Sequence, residues 1–327
     1  MFLNQLVSRS YAGSSDLNLL INFTQKAARA HWPQSTYKKA GDVVWGSPGL
    51  DSNINIKLWF DGADLVAYGW FEPPHSVGVD ILPGLTKYDS IGGEILRWAE
   101  DRRRMLTRAG TRTIPKAHAM LGYGMVLLTM ALDHDVQRLS LLKRHTYERT
   151  EGFDVLYRRS LGTPIVAPKL DPSLLLRHPT DADLDARVDV HRDSWSVWGP
   201  SAMSKTTVVC ETRQFTILSW TWCSKMRRAV SSPTASGGST WRGHFEPVGS
   251  RPNFTGRGYA RAVTIEGMRR MQARGMHTAL VATASVNARA RVLYPSCGFV
   301  EVHRAHTTQK ASRDERSVSA GTQERRS

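Results

Sequence analysis

Between residues 54 and 82 the chain runs apolar in three short bursts. "INIKLWF" (54–60) and "LVAYGWF" (65–71) flank "DGAD" (61–64), where Gly62 supplies the permissive backbone of a hairpin turn. "SVGVDILP" (76–83) follows as a third strand, closed by Pro83. The period then changes. Ile91, Ile95, Trp98, Ala99 and Leu106 recur at helical spacing within "IGGEILRWAEDRRRMLTRAG" (91–110), and Gly110 marks the stop. "LNLLINFTQKAARAHW" (17–32) upstream and "VQRLSLLKRHTY" (136–147) downstream also read as helices, and "FDVLYRRSL" (153–161) reads as a strand. These elements close a first unit, residues 1–161.

"GTPIVAPKLDPS" (162–173) is rich in proline, shows no period, and reads as a linker. A second unit, 174–303, opens with "LLLRHPT" (strand) and "DADLDARVDVHRDSW" (helix, capped by Asp181). It ends with the grammar of the first: "HFEPVGSRP" (a strand to a proline), a long helix, "HTALVATA" (strand) and "NARARVLYPSCGF". Pairing Pro83 with Pro252 gives an offset of 169 residues, and pairing Tyr147 with Phe299 gives 152, so a loose internal duplication is expected. The stretch 212–245 breaks the pattern: it has no acidic residue, five Lys or Arg and three Trp, with "FTILSWTWC" its one good strand candidate. Residues 224–242 are expected to be loop or poorly ordered, and the polar stretch 304–327 a disordered tail. The pattern as a whole predicts an α/β (α+β) fold: a mixed, mainly antiparallel sheet flanked by helices, present twice.

Composition narrows the function classes. The 327 residues carry a formal net charge of +15, which favours anionic partners, but the basic residues are spread along the chain without one dense block, which argues against a nucleic-acid binder. Cys210, Cys223 and Cys297 are few and widely spaced, so neither a disulfide framework nor a metal site is expected, and a reducing compartment is. There is no signal pattern, and the longest apolar run, "AMLGYGMVLLTMAL" (119–132), is too short to span a bilayer. The expectation is a soluble cytoplasmic protein, monomer or homodimer.

The chemistry gathers in "TGRGYARAV" (255–263), where Gly256, Gly258 and Ala260 alternate with larger residues just before a helix. Small residues on alternate positions let successive amides face one concavity, and the helix adds its positive end. The result is an anion site sized for a pyrophosphate, to which Arg257 and Arg261 could add charge. It is not a P-loop, because no Lys-Ser/Thr pair follows the last glycine, and the spacing is not that of a dinucleotide fingerprint.

The segment "RPNFTGRGYARAVTIEGMRRMQARG…ALVATASVNARARVLYPSCGFVEV" resembles the GNAT acyltransferase superfamily over about sixty residues. In that family a strand ending in proline leads to a Q/R-x-x-G-x-G/A loop and a helix, and a later strand leads to Asn-x-x-Ala-x-x-Leu-Tyr and Gly-Phe. Here the loop is Thr255, Gly256, Arg257, Gly258, Tyr259, Ala260, and the second motif is Asn287, Ala290, Leu293, Tyr294, Gly298, Phe299. Thr255 stands in place of the family's long donor, and Ser250 in place of a common valine. The resemblance implies acetyl-CoA as co-substrate, its pyrophosphate on the loop amides, Asn287 beside it, and its pantetheine arm along the backbone of Val248, Gly249 and Ser250.

It also implies transfer of an acetyl group to an amine of a small molecule or peptide. Such transfer needs a base to free the amine and an acid to protonate the leaving thiolate. Tyr294 occupies the family's acid position, and a phenol of pKa about 10 can protonate a thiolate of about 8.5; a packed aromatic beside Leu293 and Phe299 is the other reading. Glu246 is the candidate base and His244, two residues earlier on the same strand face, is the runner-up. Either carboxylate or imidazole could equally be strand-edge polarity, and Cys297 reads as core. In the first unit "GLTKYDSIGG" lacks alternating small residues, Leu142 falls where Tyr294 would, and Asp135 where Asn287 would. That half is expected to be a degenerate, structural copy. The alternative for the whole is a non-catalytic relative that binds coenzyme A without turnover.

Overall fold

The hairpin read from residues 54–72 forms as β2 (Ile56–Asp61) and β3 (Asp64–Glu72), with Gly62 in the turn at φ +63°. The computed structural model that holds it describes residues 6–30, 37–38, 40–46, 51–110, 126–169, 172, 176–177, 180–196, 215–217, 221–223, 242–245 and 248–310. The chain divides into two units, Met1–Phe153 with Arg304–Ser327, and Asp154–His303.

In the first unit β1 (Leu6–Ser10), α1 (Ser14–Ala30), α2 (Ala40–Gly46) and α3 (Ser52–Asn55) precede the hairpin. β4 (Ser76–Ile81), α4 (Tyr88–Arg108), β5 (Leu128–Leu132), α5 (Val136–Arg144) and the first half of β6 (Tyr147–Ser160) follow it. Strand order is β1-β2-β3-β4-β5, then the end of the chain's last strand β13 (Val300–Lys310), then β6. All described pairings are antiparallel except β4 with β5, which run parallel and meet at Ser76 and Leu128. β3 is buried from Leu65 to Phe71, as a central strand's continuous apolar run requires. Its two faces belong to two cores. Leu65, Tyr68 and Trp70 pack with Leu20, Phe23 and Ala27 of α1. Val66, Ala67 and Phe71 pack with Ile91, Ile95, Leu96 and Ala99 of α4 and with Leu141 and Leu142 of α5. The helical spacing of the sequence thus records which stripe of α4 faces the sheet.

In the second unit β7 (Leu176–Arg177) and a 3-10 turn (Asp181–Asp183) lead into α6 (Leu184–Trp195). β8 (Phe215–Ile217) and β9 (Thr221–Cys223) form the hairpin contained in "FTILSWTWC". β10 (Arg242–Phe245), β11 (Val248–Ser250), α7 (Tyr259–Ala273), β12 (Thr278–Ala284) and α8 (Ala288–Ser296) complete it. β12 pairs antiparallel with the second half of β6 and parallel with β10, while β11, β9, β8 and β7 make a separate antiparallel sheet. Residues 224–241, expected to be loop, lie outside the described residues. Arg242, the last residue of that expectation, instead begins β10.

With α1–α3 taken together and β10–β11 taken as one broken strand, the element order β-α-β-β-β-α-β-α-β runs in both units. A shared detail opens each: Arg9 of β1 grips Asp16 of α1 through both carboxylate oxygens, at 2.5 and 2.7 Å, and Ala12 N donates to the same carboxylate. Arg177 of β7 grips Asp183 at 2.8 Å twice, with Thr180 N at 2.6 Å. The helix N-cap is Asp183 rather than the expected Asp181, and the Asp183 carboxylate ties strand to helix. α5 and α8 are each nine residues long and are capped by Asp135 and Asn287, 152 residues apart.

Two boundaries differ from the sequence reading. β6 and β13 each cross between units, so the division falls inside strands rather than in the proline-rich segment 162–173. Residues 304–310, expected to begin a disordered tail, pair with β5 from Ala305–Leu132 to Gln309–Leu128. Ala305, His306, Thr307 and Thr308 are buried there, and Thr308 Oγ donates to the Thr129 carbonyl at 3.2 Å. Hydropathy mistakes such threonines for tail, although they are good strand formers whose hydroxyls the sheet satisfies. Residues 311–327 lie outside the described residues. No helix among the described residues is long and apolar enough to cross a membrane.

Candidate functional site

The second unit's parallel pair opens where the sequence reading placed one strand. Gly243, His244 and Phe245 of β10 lie opposite Ala279, Leu280 and Val281 of β12, but Val248, Gly249 and Ser250 of β11 lie opposite Cys223, Trp222 and Thr221 of β9. "HFEPVGSRP" is thus two strands in two sheets, a correction with a simple cause: Pro247 has no N–H to give a continuing ladder. β11 is the edge strand of its sheet, and all three of its residues are half-buried. Glu246, the candidate base, lies outside the described residues. Gly243 and Phe245 face α7, so His244 between them points to the opposite side of β10.

Beyond β11 the chain makes a 3-10 turn (Pro252–Phe254), in which Thr255 Oγ donates to the Pro252 carbonyl at 2.7 Å. Gly256 and Gly258 follow at φ +82° and +79°, with no atom beyond the adjoining residues within 4 Å of where a Cβ would stand. Conformation, not crowding, demands glycine at both, and the space beside them is open. Gly258 is the N-cap of α7 and offers the first turn no side chain, so the amides there are left to water, to the turn itself or to a ligand. Ala260 is half-buried and Arg261 exposed in that turn, next to Tyr259. The Arg257 guanidinium lies 5.0 Å from the centre of the Phe254 ring. Arg251 pairs with Asp193 of α6 at 2.9 Å. These two, with Ser196, Pro252, Asn253 and Phe254, line a cavity of about 370 Å³ that sequence reading did not anticipate. Its residues come from a helix end and a turn sixty positions apart, and nothing local marks them.

Asn287 and Tyr294 stand on α8. The Asn287 side chain accepts from Ala290 N at 3.2 Å, an ordinary cap that leaves its amide nitrogen for another partner. Tyr294 is 4% exposed, its ring 5.7 Å from Tyr157 and 6.0 Å from Phe299; Phe299 in turn lies 6.1 Å from Phe245. The aromatic chain therefore runs from the candidate acid to the last residue of β10, where the parallel pair opens. The structure thus places Tyr294 one ring, Phe299, away from Phe245 at the end of β10, and Gly256, Gly258, Tyr259 and Ala260 at the start of α7. Cys297 is buried, which pushes its thiol up and away from reactivity.

No protein-family profile and no curated protein sequence matches the chain. Solved structures do. A GCN5-related N-acetyltransferase from Sphaerobacter thermophilus is similar over 93% of this chain and 95% of its own, with a TM-score of 0.58 at 16% identity. A tandem GNAT protein from the clavulanic acid biosynthesis pathway is similar over 94% of this chain and 99% of its own, with a TM-score of 0.60 at 12% identity. The N-myristoyltransferase of Saccharomyces cerevisiae, solved with myristoyl-CoA, is similar over 95% and 79%, with a TM-score of 0.55 at 10% identity. Two helix-flanked sheet units of repeated order, an opened parallel pair and a glycine turn into α7 agree with that likeness: the chain has the fold of the GNAT N-acetyltransferases.

Proposed function

We propose that the chain is an acetyl-CoA-dependent N-acetyltransferase with its site in the second unit. The observation that carries the reading is the pair of left-handed glycines, 256 and 258, with open space beside them at the uncapped start of α7. The amides of Gly256 to Ala260 would hold the pyrophosphate, helped by Arg257, and the backbone of Val248, Gly249 and Ser250 on an edge strand would hold the pantetheine arm. Asn287 would add its amide nitrogen. The bound co-substrate supplies the activated acetyl group. This chain's part is to aim the thioester, take a proton from the acceptor amine at Glu246, directly or through water, and return one to the leaving thiolate from Tyr294 Oη. The acceptor is an amine of a small molecule or peptide. Only this half would turn over, because the first unit has Leu142 and Asp135 at the positions of Tyr294 and Asn287.

One observation favours a second reading, binding without transfer: Tyr294 is almost wholly buried, with the rings of Tyr157 and Phe299 beside it, as a packing residue would be. Calorimetry with acetyl-CoA, followed by thiol release over a panel of amines, separates the two. Gly258→Asp should abolish binding, since it forces a side chain into a left-handed backbone and sets a carboxylate against phosphate. Unchanged affinity in that variant would sink the loop assignment.

A further inference from the structure

In the first unit, the residues that correspond to Val248, Gly249 and Ser250 at the 169-residue offset are Val79, Asp80 and Ile81. The Val79 carbonyl is already taken. Arg138 of α5 donates to it through Nη1 at 2.5 Å, and through Nη2 to Thr129 Oγ of β5 at 3.3 Å. The guanidinium therefore bridges β4 and β5, the parallel pair that matches β10–β11 and β12. It is 2% exposed and lies 3.7 Å from the centre of the Tyr37 ring. Tyr37 is itself fixed, donating to Asp135 at 2.8 Å and accepting from Leu132 N at 3.0 Å. The space left beside the guanidinium, walled by Asp80, Tyr88 and Phe23 among others, is about 30 Å³, little more than a water molecule needs.

The counterpart of Arg138 at the 152-residue offset is Ala290. The equivalence is structural as well as arithmetical: Arg138 N donates to the Asp135 cap at 2.9 Å, as Ala290 N donates to the Asn287 cap. The same helix position thus holds a methyl group in one unit and a buried cation in the other. A buried guanidinium is costly unless its charge and donors are largely met: here a backbone carbonyl, a hydroxyl and an aromatic face take it, Asp80 and Asp135 add opposite charge nearby, and only Nε has no hydrogen-bond partner among the described residues.

We infer that Arg138 is a built-in occupant of the first unit's cofactor-arm cleft, a side chain standing where pantetheine would otherwise run between β4 and β5. The inference rests on the proposed acyl-CoA site of the second unit, and it gives the first unit's silence a mechanism: the cleft is kept but filled from within. The loop of this unit lacks alternating small residues and offers little to a pyrophosphate, so the ligand that the vacated cleft would take is the arm alone.

Calorimetric titration of the full chain tests it. The unmodified chain should bind one equivalent of coenzyme A and no additional pantetheine once that site is saturated. Arg138→Ala, saturated in the same way and folded by circular dichroism, should bind one further equivalent of pantetheine. A folded Arg138→Ala chain that takes up none overturns the inference. Should that variant not fold, the transplant decides: Ala290→Arg should weaken coenzyme A binding at least 10-fold, while Val292→Arg, an arginine added on the exposed side of α8, leaves it unchanged. Equal affinity in both overturns the inference. An unmodified chain that binds no coenzyme A overturns the reading of the second unit, and this inference with it.

Discussion

Asn287 and Asp135 show how much one side chain's identity decides. Both cap a nine-residue helix, so each should cost about 1 kcal/mol when replaced by alanine. Asp135→Ala should cost more than Asn287→Ala in urea titrations, because it also strips the Tyr37 hydroxyl of its acceptor. Tyr294→Phe poses the sharper question. The ring keeps its packing against Tyr157 and Phe299, so the thermal midpoint should hold, while turnover should fall about 10²-fold if the hydroxyl is the acid. Steady-state kinetics with the best amine acceptor will show it, and turnover within a factor of two of the parent returns Tyr294 to a packing role. The sequence named Tyr294 and its neighbour Phe299. It could not name Tyr157, which reaches the same place from a strand 137 positions earlier.

At the scale of elements, α7 was legible as a helix, but its fit was not. Gly267 reads as a weak point, and alanine there should gain up to about 1 kcal/mol of helix propensity. A Cβ would stand 2.5 Å from Phe245 Cε1 of β10, closer than any relaxed contact. Overpacking costs about 1–3 kcal/mol, more than the propensity gain, so Gly267→Ala should lower stability. Adding Phe245→Leu should recover part of the loss, a non-additivity that thermal denaturation of the two singles and the double will reveal. The broken strand is a parallel lesson. Pro247 was visible in the sequence, yet that the two halves join different sheets depends on β12 and β9, which supply the partners.

Over the whole molecule, each unit begins with a buried or half-buried Arg–Asp clamp, and this sets its response to acid. The hydrogen bonds from Arg9, with Ala12 N, hold the Asp16 carboxyl below its ordinary range; those from Arg177 and Thr180 hold Asp183 well below it. The folded chain therefore binds fewer protons here than the unfolded chain, so the clamps' contribution is complete above the ordinary carboxylate pKa of about 4 and is lost as pH falls below it. Asp183→Asn should lower the midpoint at pH 6 and flatten its fall between pH 5 and 3. A fall as steep as the parent's would remove the clamp from the account of acid unfolding. Arg9 is 43% exposed, so solvent screening keeps its share modest.

By itself the sequence determined the periods of the strands and helices, the turn glycines, and the two joined motifs around residues 255–260 and 287–299. Each of these is written in neighbouring residues, because backbone conformation and side-chain facing are set within a few positions. Only the tertiary structure decided that residues 304–310 complete the first unit's sheet, that "HFEPVGSRP" serves two sheets, and that Arg138 lies buried between β4 and β5. Those outcomes depend on partners from 25 to about 180 positions away. Whether a threonine is tail or sheet, or an arginine surface or filling, is fixed by the groups that meet it, and a strand's own pattern says which face is apolar without saying what will cover it.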